Sequence, residues 1–203
     1  MSSSYKTISS VSEAIFREKM SKFIAIAMPV RDENEARAAV DRIRNEYHDA
    51  RHVCWAYMLG ADRSRFMLND NGEPSGTAGK PILGQINSFG LTNIAVAVVR
   101  YFGGIKLGTS GLIAAYREAT RLALEGADIV EKAEEVTLTI TFGYLSMNSV
   151  MKLVKSLSLQ ILEQCFDNTC KIVIAVRRDQ SESLARRFAD IEGVNAEVGD
   201  DIL

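Results

Sequence analysis

Between Asn69 and Gly111 the chain reads NDNGEPSGTAGKPILGQINSFGLTNIAVAVVRYFGGIKLGTSG, two glycine-rich loops on either side of one apolar strand. No other stretch limits the possible folds so strongly. From Asn93 to Phe102, Ile94, Val96 and Val98 alternate with Ala95 and Ala97, the composition of an interior strand covered on at least one face. The first loop carries Gly72, Gly76 and Gly79 with Pro74 and Pro81 as fixed corners. The second carries Gly103, Gly104, Gly108 and Gly111. Glycine at this density lets backbone approach a neighbour closely, so each loop is expected to bring main chain against something while a rigid strand holds it in place.

Helices are expected to follow both loops. Pro81 suits a first helical position, with Ile82, Leu83, Ile86 and Phe89 on one face. Lys80 at that end adds charge to an already positive helix terminus, which favours an anion unless Asp70 or Glu73 neutralises it from within. GTAGKP is not a Walker A loop, because proline stands at 74 and 81 where that motif needs glycine and a hydroxyl. After the second loop a helix is predicted from Ser110, capped by Thr109 or Ser110, with Leu112, Ile113, Tyr116, Ala119, Leu122 and Ala123 apolar and Gly126 closing it. Lys80, Arg100 and Lys106 could then converge with Gly76, Gly79, Gly103 and Gly104 on one electropositive anion- or partner-binding cleft. Alternatively Arg100 pairs with Asp70 or Glu73 and locks the two loops together.

Upstream, Lys22 to Met28 has the composition of a strand ended by Pro29, and Asp32 to Tyr47 reads as a surface helix with Asp32 as N-cap and Glu33 and Glu35 in the first turn. Arg37, Asp41, Arg42 and Arg44 form its solvated face. Arg51–Leu59 and Arg65–Leu68 read as a hairpin around GADRS. If Leu59 pairs with Arg65, Cys54 lies opposite Asp70 and His52 shares its face, so these three gather at the mouth of the first glycine loop. A Cys, His and Asp group could generate a thiolate nucleophile. Residues two apart on a strand nevertheless project in parallel about 7 Å apart, which favours Cys54 as a small core residue and His52 as a tie to the loop. Trp55 and Tyr57 fall on the opposite face, as core or interface residues.

The runs DNGEPSGTAGKPIL and VVRYFGGIKLGTSGL, with RHVCWAY before them, resemble the signature of the IMPACT family and its bacterial, YigZ-type branch. The resemblance covers about Phe16 to Ala127, and the remainder resembles the smaller C-terminal domain of the bacterial members. It implies an α+β protein of two domains: residues 1–128 with the topology of ribosomal protein S5 domain 2, and residues 129–203 ferredoxin-like, similar to the C-terminal domain of elongation factor G. Eukaryotic members are translational regulators that bind a ribosome-associated activator of a stress kinase through parts of a longer chain, so that partner does not carry over.

Read without the resemblance, the second half gives strand, helix, strand, strand, helix, strand from Glu135 to Val198, which is the ferredoxin-like order. Many such domains bind RNA through aromatic residues on central strands, but CKIVIAVRR has none. Residues 1–130 carry 16 Lys and Arg against 14 Asp and Glu, and residues 131–203 carry 8 against 12, so any contact with nucleic acid belongs to the first half. With 47% hydrophobic and 25% charged residues the chain is an ordinary globular one, without an apolar leader or membrane span, which points to the cytoplasm. Cys165 and Cys170 bracket a turn and could face each other, although a reducing compartment disfavours a disulfide. Two histidines and three scattered cysteines make no zinc set, and no metal or other cofactor is expected.

Two functions remain open. The first is a non-catalytic regulatory or binding protein, related to the IMPACT translation regulators, that contacts RNA, a ribosome-associated factor or another anionic partner through the glycine-loop cleft. The second is an enzyme or sensor that binds a phosphorylated small molecule or nucleotide there, with only Asp70 and Glu73 near as acid or base.

Overall fold

The structure is a computed structural model describing residues 4–202; residues 1–3, part of the stretch read as lacking an apolar leader, and residue 203 lie outside the described residues. The chain divides into two compact units, one of Tyr5–Lys132 and one of the chain from Ala133 onward, with which Ser4 is grouped, so the outermost residues of the first and seventh strands fall to the second unit.

In the first unit the strands are β1 (Ser4–Ile8), β2 (Ser12–Glu18), β3 (Ser21–Pro29), β4 (His52–Leu59), β5 (Arg65–Asn69), β6 (Ile94–Tyr101) and β7 (Ile129–Ala133). The helices are α1 (Glu33–Glu46), α2 (Gly79–Ser88) and α3 (Gly108–Glu125). Five strands form one antiparallel sheet in the order β2-β3-β6-β4-β5, with the apolar strand β6 at its centre. The period of two along each strand sorts the side chains onto two cores. Ile94, Val96 and Val98 pack with Ile82 and Ile86 of α2 and with Leu112, Tyr116 and Ala119 of α3. Ala95, Ala97 and Val99 pack with Trp55 and Tyr57 and with Ala36, Ala39, Val40 and Ile43 of α1. A strand covered on both faces needs apolar residues at every position, which is why Ile94–Val99 has none that is polar.

Asp32 caps α1, its Oδ1 accepting the Glu35 N–H at 2.8 Å. Arg37, Asp41 and Arg42 are exposed on the solvated face. β7 pairs with β1 in a separate two-stranded sheet, so residues 129–132, expected to open the second domain, belong to the first unit. Nothing local marks this pairing, because its partner strand lies more than a hundred residues earlier.

The second unit comprises β8 (Glu135–Phe142), α4 (Met147–Ser156), β9 (Gln160–Phe166), β10 (Cys170–Arg177), α5 (Arg178–Ala189) and β11 (Val194–Asp201), the order expected from the sequence. Its sheet runs β11-β8-β10-β9, antiparallel throughout. Val136, Leu138 and Ile140 of β8 share one core with Val150 and Val154 of α4 and with Leu184 and Phe188 of α5, so both helices cover the same face. Cys170 lies in that core and pairs in register with Phe166, whereas Cys165 is exposed and pairs with Lys171. Neighbouring positions on a strand alternate in face, so the two thiols point apart and both are free. No helix among the described residues is long and apolar enough to cross a membrane.

Candidate functional site

The hairpin of β4 and β5 sets the site. Leu59 pairs with Arg65 and Trp55 with Asn69, which brings Asp70, one residue past the strand, against Cys54. The Cys54 thiol donates to the Asp70 carbonyl oxygen at 2.9 Å, and the His52 ring Nδ1 lies 2.8 Å from the Asn71 carbonyl oxygen. A carbonyl can only accept, so Nδ1 of His52 carries the proton. His52 thus ties the strand to the first glycine loop.

Asp70 governs that loop. Its carboxylate accepts the backbone N–H groups of Gly76 at 2.8 Å, Ala78 at 3.0 Å and Gly79 at 2.8 Å. α2 begins at Gly79 and has no side-chain cap from its own N-cap residue Ala78. A carboxylate from nine residues upstream therefore fills the positive end of this helix. Burial opposes the ionised form of Asp70, but the amides of Gly76, Gly79 and Ala78, with Lys80 beyond them, outweigh it and hold its pKa below the usual aspartate value. Gly76 has φ +76°, a left-handed conformation that lets its N–H turn inward.

The second loop is arranged differently. Arg100, at 6% exposure, closes a buried ion pair with Glu73, its NH1 lying 2.6 Å from Oε1. The same oxygen accepts the Tyr116 hydroxyl at 2.8 Å, and that hydroxyl lies 3.3 Å from Cys54 Sγ. The guanidinium is sandwiched between Phe23 and Phe102, 5.5 Å from each ring centroid. Nε of Arg100 is buried and has no hydrogen-bond partner. Gly103, just beyond, has no room for a side chain: a Cβ there would meet the Met20 main chain at 2.1 Å. Its amide donates to Ser21 Oγ at 3.3 Å, fastening the loop to the β2–β3 turn. Gly104 beside it borders open space.

A cleft of about 370 Å³ opens over this loop. Its polar lining is Arg51, His52, Glu73, Arg100, Lys106 and Thr109, and its apolar lining is Pro74, Phe102, Leu107 and Leu112. α3 starts at Gly108, two residues before the expected Ser110, and no side chain caps it. The Thr109 and Ser110 hydroxyls expected to do so lie inside its exposed first turn. The first turn of α3 therefore presents backbone N–H groups beside Arg100 and Lys106, the environment that stabilises a bound anion.

The structure brings together His52, Glu73, Arg100 and Lys106 but separates them from Lys80. Lys80 is exposed in the first turn of α2, next to Gly76 and Asp70, and does not line the cleft. Gly76 and Gly79 serve the internal carboxylate, and Gly103 serves the packing against Met20. Arg100 pairs with Glu73, the second of the two acids considered for it. Sequence reasoning missed Arg51, Phe102 and the Tyr116 hydroxyl as parts of the site. Tyr116 falls on the apolar stripe of α3, so its ring was legible and its hydroxyl partner was not. Among the described residues, no three His, Cys, Asp or Glu side chains are grouped to hold a metal ion.

Cys54 is fully buried, and burial pushes its thiol up to about 12, with Glu73 and Asp70 adding to the rise against the Tyr116 hydrogen bond and Arg100. Only a thiolate attacks alkylating reagents. Iodoacetamide at neutral pH is therefore expected to label exposed Cys165 and to leave Cys54 and Cys170 unmodified in the folded protein. Peptide mass spectrometry checks this, and rapid stoichiometric labelling of Cys54 would contradict it.

Fold and site together define a protein of mixed helices and largely antiparallel sheets in two units, whose first unit has one glycine loop closed on its own carboxylate and another bordering an open, positively lined cleft. The Impact N-terminal domain profile matches residues 19–124, more than half of the chain, and the chain belongs to the IMPACT family. It is 32% identical over 183 residues to an IMPACT family member of Haemophilus influenzae, covering 88% of this chain and 89% of that protein. It is likewise 32% identical over 174 residues to IMPACT family member YigZ of Escherichia coli, covering 85% of each. A crystal structure described as that of a hypothetical protein matches with a TM-score of 0.80 at 28% identity, over 98% of this chain and 99% of its own.

Proposed function

We propose that this protein is a non-catalytic regulatory binding protein, related to translation regulators, whose cleft beside the second glycine loop holds an anionic group of RNA, a ribosome-associated factor or another acidic partner. The observation that carries this reading is the exposed, uncapped start of α3, which borders one cleft with Arg51, Arg100 and Lys106. The side chains that could act as nucleophile or base support binding over catalysis: Cys54 is held as the thiol, and Asp70 and Glu73 are engaged in hydrogen bonds. On the same reading the first unit is ribosomal protein S5 domain 2-like. The second is ferredoxin-like, supported by its strand order β11-β8-β10-β9 with both helices on one face. The cytoplasm, where translation takes place, is its proposed location.

The cleft volume of about 370 Å³ also favours a second reading, a sensor or enzyme for a phosphorylated small molecule or nucleotide. Fluorescence anisotropy with labelled oligouridylate and labelled polyglutamate, titrated over a range of KCl concentrations, tests the first. At least one polyanion should bind more weakly as salt rises. For the oligonucleotide the logarithmic slope should be about −0.7 per phosphate neutralised, and Lys106→Ala or Arg51→Ala should reduce it by about one contact. Binding that is indifferent to salt or to both substitutions would overturn the proposal. ATP or pyrophosphate raising the unfolding temperature where neither polyanion binds would favour the second reading.

A further inference from the structure

Three large apolar side chains stand exposed on the second glycine loop and the β2–β3 turn beside it. Met20 is 77% exposed, and Phe102 and Ile105 are each 51% exposed. They belong to one neighbourhood: Met20 lies against Gly103, which directly follows Phe102 and precedes Ile105 by two residues in the chain. A second hollow of about 470 Å³ adjoins the cleft through shared Leu107, and its lining includes Phe16, Lys19, Ala114 and Arg117. Charges flank the patch on both sides: Arg51 and Lys106 in the cleft, Lys19 and Arg117 in the hollow. The acids there are Glu18 and Glu118, and Glu118 is paired with Arg121. Contiguous exposed apolar side chains rimmed by charge mark interaction sites.

We infer that the surface formed by Met20, Phe102 and Ile105 with Arg51 and Lys106 around the start of α3 docks an acidic protein segment bearing an aliphatic or aromatic anchor, an inference that rests on the anionic-partner reading above. Charge complementarity selects an acidic occupant. The apolar side chains select protein over nucleic acid, because bases bind by stacking on rings and two of the three, Met20 and Ile105, have none. One side of the Phe102 ring is already taken by Arg100. An anchor from the partner would seat against Leu107, Leu112 and Phe102, and a flanking carboxylate would reach Lys106 and the first amides of α3.

The test is selection from a random-sequence peptide display library on the full-length protein, followed by anisotropy with the selected peptides. Selected sequences should carry a Leu, Ile, Met or Phe next to Asp or Glu. Replacing that anchor by Ser, or introducing Ile105→Ser with Met20→Ser, should weaken binding about tenfold. Lys106→Ala should weaken it several-fold and flatten its salt dependence. Both apolar substitutions are at exposed side chains, so circular dichroism should show an intact fold. Peptides without the acidic and apolar pattern, or binding unchanged by Ile105→Ser with Met20→Ser, would overturn the inference. Oligouridylate binding through Lys106, with no such peptide recovered, would overturn it and leave the anionic-partner reading standing. If neither oligouridylate, polyglutamate nor any peptide binds through Arg51 and Lys106, both fall together.

Discussion

Arg100→Ala is expected to destabilise the first unit by about 3–5 kcal/mol, the usual effect of removing one partner from a buried ion pair. The Arg100 and Glu73 side chains are 7% and 4% exposed, so Glu73 would be left as a buried charge with only the Tyr116 hydroxyl on its engaged oxygen. The packing against Phe23 and Phe102 would be lost as well. Trp55, the one tryptophan, lies in the core of this unit, so its fluorescence in a urea titration reports the loss directly. Arg100→Met combined with Glu73→Gln should recover much of the stability, because the amide still accepts from Tyr116 and no uncompensated charge remains. It should not recover anion binding. A single substitution within about 1 kcal/mol of wild type would mean that the pair is solvated and does not lock the second loop.

Asp70→Ala is expected to cost about 2–4 kcal/mol, because three backbone N–H groups lose a charged acceptor and the start of α2 loses its cap. The effect depends on pH with a defined sign. The amides hold Asp70's folded pKa below its unfolded value, so its contribution is complete above the ordinary aspartate pKa and disappears as pH falls through the lower, folded one. Wild type should therefore lose stability relative to Asp70→Asn as the solution is acidified through that window, and the two should differ by a constant amount near neutrality. Urea midpoints followed by Trp55 fluorescence from neutral to strongly acidic pH provide the measurement. Parallel curves throughout would show that Asp70 is not ionised against the loop amides.

Both effects involve acids three residues apart in one loop, Asp70 and Glu73, and the sequence did not say which acid does what. Asp70 and Glu73 were both plausible partners for Lys80 and Arg100. Backbone geometry separates them. Asp70 leaves β5 beside Cys54 and curls under the loop amides, and Glu73 lies further out, where Arg100 arrives from the centre of the sheet. The sequence offered both Asp70 and Glu73 to neutralise the positive end of α2, and the structure decides for Asp70. A cap from outside the helix leaves no adjacent signal by which to choose. The uncapped start of α3 was hidden for the opposite reason: Thr109 and Ser110 looked like caps, and the helix begins before them.

Periodicity and pairing rules determined a good deal without coordinates. The alternation in Ile94–Val99 implied an interior strand, and the spacing of Ala36, Ala39, Val40 and Ile43 implied a surface helix; the structure places that helix over one face of the strand. The hairpin register from Leu59 and Arg65 placed Cys54 by Asp70, because antiparallel pairing counts residues two by two from the turn. The order of strands and helices from Glu135 to Val198 was likewise legible and is the order of the second unit. These signals are local, set by side-chain periods within one element or one hairpin. Only the tertiary structure decided the pairing of β1 with β7, the choice of Glu73 for Arg100, the seat of Asp70 on α2 and the joining of Arg51, Phe102 and Lys106 at one cleft. Each of these depends on where separate elements meet in space, and that is fixed by how the whole sheet and its two helical layers pack, which no local period encodes.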